Sequence, residues 1–170
     1  MESRAKILSA LKKKFTDTPA ALPELKTYTP PAVHVVEKFE AVLRGIGGAT
    51  VRVSSTQEIN EYILREFKDA KRIVSLTDGI EGTAITSGID PHTFADVDLI
   101  ILQPHFAVAE NAAAWITAER MGDRALPFIA QHIAFVITTD TLVHTMHDAY
   151  QKISNSEYPF GTFIAGPSKT

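Results

Sequence analysis

The sequence predicts an α/β fold with a mostly parallel sheet, because short apolar segments alternate with amphipathic helical patterns. The segment VDLIILQ at 97–103 is apolar at nearly every position, as is typical of strands that are covered on both faces. A capping box at 55–58 begins a helical pattern that is followed by a short strand at 72–76. Two strand-like pieces within 106–118 add some antiparallel pairing to this prediction.

The first 33 residues are predicted to form an N-terminal helix and a proline-rich arm. The helix covers 3–15, and its apolar face consists of Ile7, Leu8, Leu11 and Phe15. Residues 16–33 contain four prolines, which oppose regular helix and interior strand pairing. Residues 34–170 are predicted to form the α/β domain.

The elements of this second region are predicted in order along the chain. A helix that ends at a glycine pair is indicated by the helical spacing of four apolar residues, Val35, Phe39, Val42 and Ile46. The alternating segment ATVRVS at 49–54 indicates a strand, and the apolar run at 132–139 indicates another. The remaining predictions are a helix after Ser55, a loop over 77–96, a helix that begins at Asp140 and a last strand in FGTFIAG.

Composition restricts the classes of function. The 170 residues carry a net charge of −3, which gives no general attraction to nucleic acid or to an anionic membrane. No apolar run approaches the roughly 20 residues that span a bilayer. The sequence has no cysteine, which excludes disulfides, a thiolate nucleophile and an iron–sulfur cluster held by these residues. An electron-carrying centre would therefore lie in another protein or be a bound organic cofactor.

Glu110 is the first candidate for chemistry. It lies in AVAENAAAW, a stretch that is expected to be largely buried, where an unpaired carboxylate would cost free energy. Its alanine neighbours would let a ligand or a backbone segment approach closely. The sequence leaves two interpretations open: a nucleophile or general base, and a structural glutamate that is hydrogen-bonded to backbone amides.

The segment GTFIAGPSKT at 161–170 is a second candidate. It invites comparison with the phosphate-binding motif G-x-x-x-x-G-K-[ST], but Pro167 stands where that motif has lysine and removes a backbone donor. We therefore reject the motif. Polar residues after a strand can still bind a ligand, since ligands collect at strand ends of open α/β sheets; the alternative is a polar turn. The candidates are Gly166, Ser168, Lys169 and Thr170. We expect this segment and the Glu110 segment to lie at one rim of the sheet, with the loop at 77–90 nearby.

The loop after the strand at 72–76 is a third candidate. Gly82 and Thr83, with the acidic and hydroxyl residues beside them, have the chemistry to hold a phosphate or hydroxyl ligand, although an ordinary loop would have the same composition. His144 and His147 are three residues apart, but no third ligand stands at a telling spacing. No metal site is therefore predicted.

Three segments occur in an order that resembles a known family. They are FAVAEN at 106–111, LPFIAQHIAFVI at 126–137 and GTFIAGPSKT at 161–170. Together they resemble the LUD domain of the lactate utilization protein C family, whose pattern is A-x-A-E-[ST]-G, then L-P-x-x-H-I, then G-P-S-[RK]-T. The resemblance is best over 95–170 and looser over 34–94. It implies a Rossmann-like sheet similar to that of sugar-phosphate isomerases and coenzyme A transferases.

The resemblance also implies a function. It suggests an accessory subunit, with a pocket for a small anion or other ligand, in a cytoplasmic system that oxidises L-lactate to pyruvate beside iron–sulfur partner subunits. Glu110 matches the family's glutamate, Asn111 joins the ligand-binding candidates beside it, and Lys169 matches the family's basic residue. The alternative is an autonomous enzyme that acts on a sugar phosphate or an acyl-coenzyme A through Glu110.

Two departures from the family pattern bear on these expectations. The family has glycine two residues after its glutamate, where this chain has Ala112. A side chain at that position would crowd an approaching anion or backbone segment, which argues against a transferase role for Glu110. Family members also continue beyond the last motif, so we expect this chain to be truncated at its C-terminus.

Overall fold

The computed structural model describes residues 2–14, 34–85, 88, 90–153 and 159–166. The chain divides into two compact units, Met1–Pro31 and Ala32–Thr170. Among the described residues, no helix combines the length and the apolar character that crossing a membrane would require.

The N-terminal unit contains the predicted helix, α1, at Glu2–Lys14. Its Ile7 and Leu8 side chains are exposed. The predicted proline-rich arm lies outside the described residues.

Two helices open the second unit, and both are set by local sequence signals. Helix α2 covers Val35–Gly45, and Gly47 follows it with a φ of +93° that favours glycine. Helix α3 covers Thr56–Glu66 and begins at the predicted capping box. The Ser55 hydroxyl oxygen accepts a hydrogen bond from the Glu58 backbone N–H at 3.2 Å, and the Glu58 carboxylate accepts one from the Ser54 N–H at 2.8 Å.

A three-stranded parallel sheet forms one part of the core. Strands β1 (Ile73–Ser75), β2 (Leu99–Leu102) and β5 (His132–Phe135) lie in the order β1-β2-β5. All four residues of β2 are buried, since Leu99 and Ile101 pack with Ile63 of α3 while Ile100 and Leu102 pack in a second cluster. The predicted α/β class, with a mostly parallel sheet flanked by helices, is confirmed.

A second sheet has four strands and contains the antiparallel pairs of the fold. Its order is β6-β3-β4-β7, with β3 at Phe106–Val108, β4 at Ala113–Thr117, β6 at Leu142–Val143 and β7 at Gly161–Ile164. Strand β4 runs antiparallel to both β3 and β7, and β3 runs parallel to β6. The short helices α4 (Ala118–Met121) and α5 (Leu126–Ile129) separate β4 from β5. Helix α6 covers Met146–Ile153.

Two predicted elements are wrong. Residues 49–54 form no strand, although Val51 and Val53 alternate with polar residues; both are exposed, at 51% and 39%. The Arg52 side chain between them bonds Glu40 of α2 at 2.7 Å, so this segment contacts a helix through its polar residue. The helix predicted from Asp140 also begins later, because 139–141 form a 3₁₀ turn and β6 follows it.

Candidate functional site

The turn between β3 and β4 presents Glu110 at one end of the four-stranded sheet. Val108 pairs with Ala113, so residues 109–112 form the turn. Glu110 is exposed, and the expected burial is therefore wrong: the carboxylate leaves the core at the point where the strand ends. Its Oε2 accepts a hydrogen bond from the Met146 backbone N–H at 2.8 Å.

This hydrogen bond joins Glu110 to the N-terminus of α6. The first N–H groups of a helix have no partner within the helix, and their partial positive charge favours a carboxylate. Thr145 and Asp148 occupy the same terminus: the Thr145 hydroxyl accepts from the Asp148 N–H at 3.2 Å, and the Asp148 carboxylate accepts from the Thr145 N–H at 3.0 Å. The geometry therefore corresponds to one of the two interpretations that the sequence left open, a glutamate bonded to a backbone amide.

The last residues of the turn are also set by backbone contacts. Ala112 has a φ of +55°, in the left-handed region that costs a non-glycine residue roughly 1 kcal/mol, and its side chain is buried beside Phe39 of α2. A glycine at this position would adopt this backbone without strain. Asn111 is exposed, and its side-chain oxygen accepts a hydrogen bond from the Ala113 N–H at 3.2 Å.

The structure brings Gly166 to the same end of this sheet. Ala114 pairs with Ile164 in the antiparallel register of β4 and β7, so the end of β7 lies beside the start of β4. Gly166 has a φ of +60°, and a Cβ atom there would lie 2.9 Å from Ile46 at the end of α2. Ser168, Lys169 and Thr170 lie outside the described residues. The expected convergence of the Glu110 and Gly166 segments is thus present in the strand pairing.

Gly82 and Thr83 belong to a different part of the molecule. The Thr83 N–H donates to the Ile73 carbonyl at 2.8 Å, and Thr83 forms a parallel bridge with Val74 of β1. A Cβ atom on Gly82 would lie 2.7 Å from the Ser75 backbone nitrogen, so glycine permits a close approach of two backbone segments. Their role in ligand binding stays a prediction.

Strand β4 separates the two candidate regions. A Cβ atom on Gly122, after β4, would lie 2.8 Å from Leu76 and 2.7 Å from Ile85, so the loop after β1 lies at the carboxyl end of β4. Glu110 precedes the opposite end of this strand. At about 3.3 Å per residue, Ala113 and Thr117 are about 13 Å apart. The Glu110 turn and the loop with Gly82 are therefore not brought together, and the expectation that this loop lies near the Glu110 segment is wrong.

An open cleft of about 470 Å³ lies where β1 ends. Its polar lining residues are Ser75, Thr77, Asp78, Glu119 and Arg120. The Arg120 side chain reaches the residues that follow β2, since its Nη1 donates to the carbonyls of Gln103 at 3.2 Å and Pro104 at 2.9 Å. The cleft therefore lies at the carboxyl end of β1 and, through Arg120, beside that of β2, where open α/β sheets bind ligands. Sequence reasoning missed Arg120 because no motif marks it, and only this strand-end rule could have indicated it.

His105 lies beside this cleft. Its Nε2 is 3.0 Å from the hydroxyl oxygen of the buried Thr117. Burial, and then the positive charge of Arg120, hold the pKa of His105 below its usual value. The imidazole is thus favoured in its neutral form next to Arg120.

No protein-family model and no curated protein matched the sequence. Among solved structures, the fold is similar to the crystal structure of a DUF162 family protein from Deinococcus radiodurans, with a TM-score of 0.63 and 21% sequence identity. The match covers 78% of this chain and 87% of that chain. The DUF162 family includes lactate utilization (LUD) domain proteins. At this identity the comparison shows that the two chains share an α/β fold.

Proposed function

We propose that this chain is an accessory subunit of a cytoplasmic system that oxidises L-lactate to pyruvate. In this proposal the chain supplies a small-ligand pocket and an assembly surface, and iron–sulfur partner subunits carry the electrons. One observation carries the proposal: two segments that resemble the family, at 106–111 and 161–166, lie at the same end of a single sheet, because β3 and β7 both pair with β4. The fold likeness to a DUF162 family protein supports it.

The composition supports the division of labour between subunits. Iron–sulfur clusters are held by cysteine thiolates, and these 170 residues contain none. The engagement of Glu110 also favours an accessory role, because one of its carboxylate oxygens already accepts a hydrogen bond at the start of α6.

The isolated chain, purified anaerobically, is expected to contain no stoichiometric iron and to show no lactate-dependent dye reduction. The physical reason is the absence of thiolate ligands. Metal analysis, visible absorption spectra and a dye assay with L-lactate measure these properties. Stoichiometric iron together with lactate oxidation by this chain alone would refute the accessory role.

A further inference from the structure

The guanidinium of Arg120 is held in place through one nitrogen, Nη1, while the donors on its other two nitrogens stay available. Nη1 carries two hydrogens, and both are directed to backbone carbonyls, those of Gln103 and Pro104. Among the described residues, none accepts a hydrogen bond from Nε or Nη2. These two atoms form the edge that binds carboxylate or phosphate oxygens in a bidentate manner.

Arg120 also lacks a neutralising partner within the described part of the chain. Asp78 and Glu119 line the same cleft, yet neither forms an ion pair with Arg120 among the described residues. An arginine that is positioned by neutral carbonyls keeps its full positive charge for another anion. This arrangement differs from that of Arg52, whose guanidinium is paired with Glu40 at 2.7 Å.

The other lining residues indicate what else the ligand must offer. Carboxylates accept hydrogen bonds and repel a bare anion, so Asp78 and Glu119 favour a ligand that also carries hydroxyl donors. Thr77 adds a hydroxyl oxygen that is buried and has no partner among the described residues. Buried polar atoms usually have a partner, and such an atom in a cleft wall indicates a site for water or a ligand.

We propose that the cleft at the carboxyl ends of β1 and β2 binds a small hydroxylated anion, with Arg120 holding its oxyanion and with Asp78 and Glu119 accepting hydrogen bonds from its hydroxyl groups. A hydroxy acid and a sugar phosphate both present this chemistry. Glu110 precedes the start of β4, whereas the cleft lies after the end of this strand. The inference therefore does not depend on the proposed role in lactate oxidation.

The test is calorimetric titration of the full chain with four probes. D-glycerate and glycerol 3-phosphate carry hydroxyl groups, whereas propionate and methyl phosphate do not. At least one hydroxylated probe should bind, and it should bind more tightly than its counterpart without a hydroxyl group: propionate for D-glycerate, methyl phosphate for glycerol 3-phosphate. The hydroxylated probe with the higher affinity identifies whether the site prefers a carboxylate or a phosphate. No binding of either hydroxylated probe at millimolar concentrations, or equal binding of the plain anions, would overturn the proposal.

Two arginine variants test whether the probes bind in this cleft. Arg120→Gln should weaken the binding of the better probe about tenfold or more, because it removes a charge-assisted bidentate contact. Arg65→Gln is the matched control: it removes the same charge from an exposed arginine of α3, and affinity should stay unchanged. Unchanged affinity in Arg120→Gln, with a normal melting temperature, would overturn the proposal.

Asp78→Ala decides the question if Arg120→Gln fails to fold. Asp78 is exposed, and no hydrogen bond or ion pair of this residue occurs within the described part of the chain. The variant should lower the preference for the hydroxylated probe over its plain counterpart, because an acceptor for the hydroxyl group is lost and a repelling charge is removed. An unchanged preference would contradict the assigned role of the carboxylate.

Discussion

Gly161→Ala is expected to lower the free energy of unfolding by about 1–3 kcal/mol, the usual cost of adding a group to a packed site. A Cβ atom at Gly161 would lie 2.6 Å from Cη2 of Trp115 and 3.3 Å from its Cε2. The indole ring has little room to move, since it is 9% exposed and its centroid lies 4.7 Å from that of Phe163. Chemical denaturation followed by circular dichroism would measure the change.

A matched glycine and a double variant control this prediction. Gly45 ends α2 with no atom within 4 Å of an added Cβ, so Gly45→Ala should be neutral or stabilising by up to about 1 kcal/mol. Trp115→Phe removes the atoms that the new methyl group meets, so the cost of Gly161→Ala should shrink in that background. A Gly161→Ala variant as stable as the wild type would show that the contact with Trp115 is not restrictive.

Glu110→Ala is expected to destabilise the protein by about 0.5–1.5 kcal/mol, because the Met146 N–H loses its acceptor at the start of α6. Glu110→Gln keeps an acceptor oxygen of the same shape, so its cost should stay below about 0.5 kcal/mol. The difference in melting temperature between the two variants measures the contribution of this hydrogen bond. Equal stability of Glu110→Ala and the wild type would show that the contact contributes nothing.

The same pair of variants separates the accessory role from an enzyme that uses Glu110 directly. In the proposed lactate-oxidising assembly, Glu110→Gln should retain activity in proportion to the amount of folded protein. Loss of activity at an intact melting temperature would instead support the alternative, an autonomous enzyme that acts on a sugar phosphate or an acyl-coenzyme A. The partner subunits provide the internal control, since their iron content should not change.

Much of the fold could be predicted because its signals are local. The capping box at Ser55 and Glu58 satisfies helix N–H groups within four residues, and the apolar run of β2 reflects burial on both faces. The start of α6 was missed because Thr145 and Asp148 form the cap with aspartate in place of the usual glutamate, whereas Asp140 is a better isolated start signal. The predicted strand at 49–54 failed because alternation cannot show whether a neighbouring strand exists.

Part of the candidate site could likewise be predicted from the sequence, and part of it could not. The sequence predicted that the segments of Glu110 and Gly166 would lie at one rim of the sheet, since both adjoin strand ends, and the register of β4 with β3 and β7 places them at the same end. No motif indicated Arg120, whose position depends on the carbonyls of Gln103 and Pro104 after a different strand; only the rule that ligands bind at strand ends pointed to this region. Contacts between residues that are far apart in the chain leave no periodic signal.

Lactate-dependent dye reduction by reconstituted samples tests the proposed function most directly. Three anaerobic samples are compared: the iron–sulfur subunits that the proposal assigns as partners, this chain alone, and all of them together. The accessory role predicts no activity from this chain alone and full activity only from the combined sample. Activity from this chain alone, or full activity from the partner subunits without it, would contradict that role.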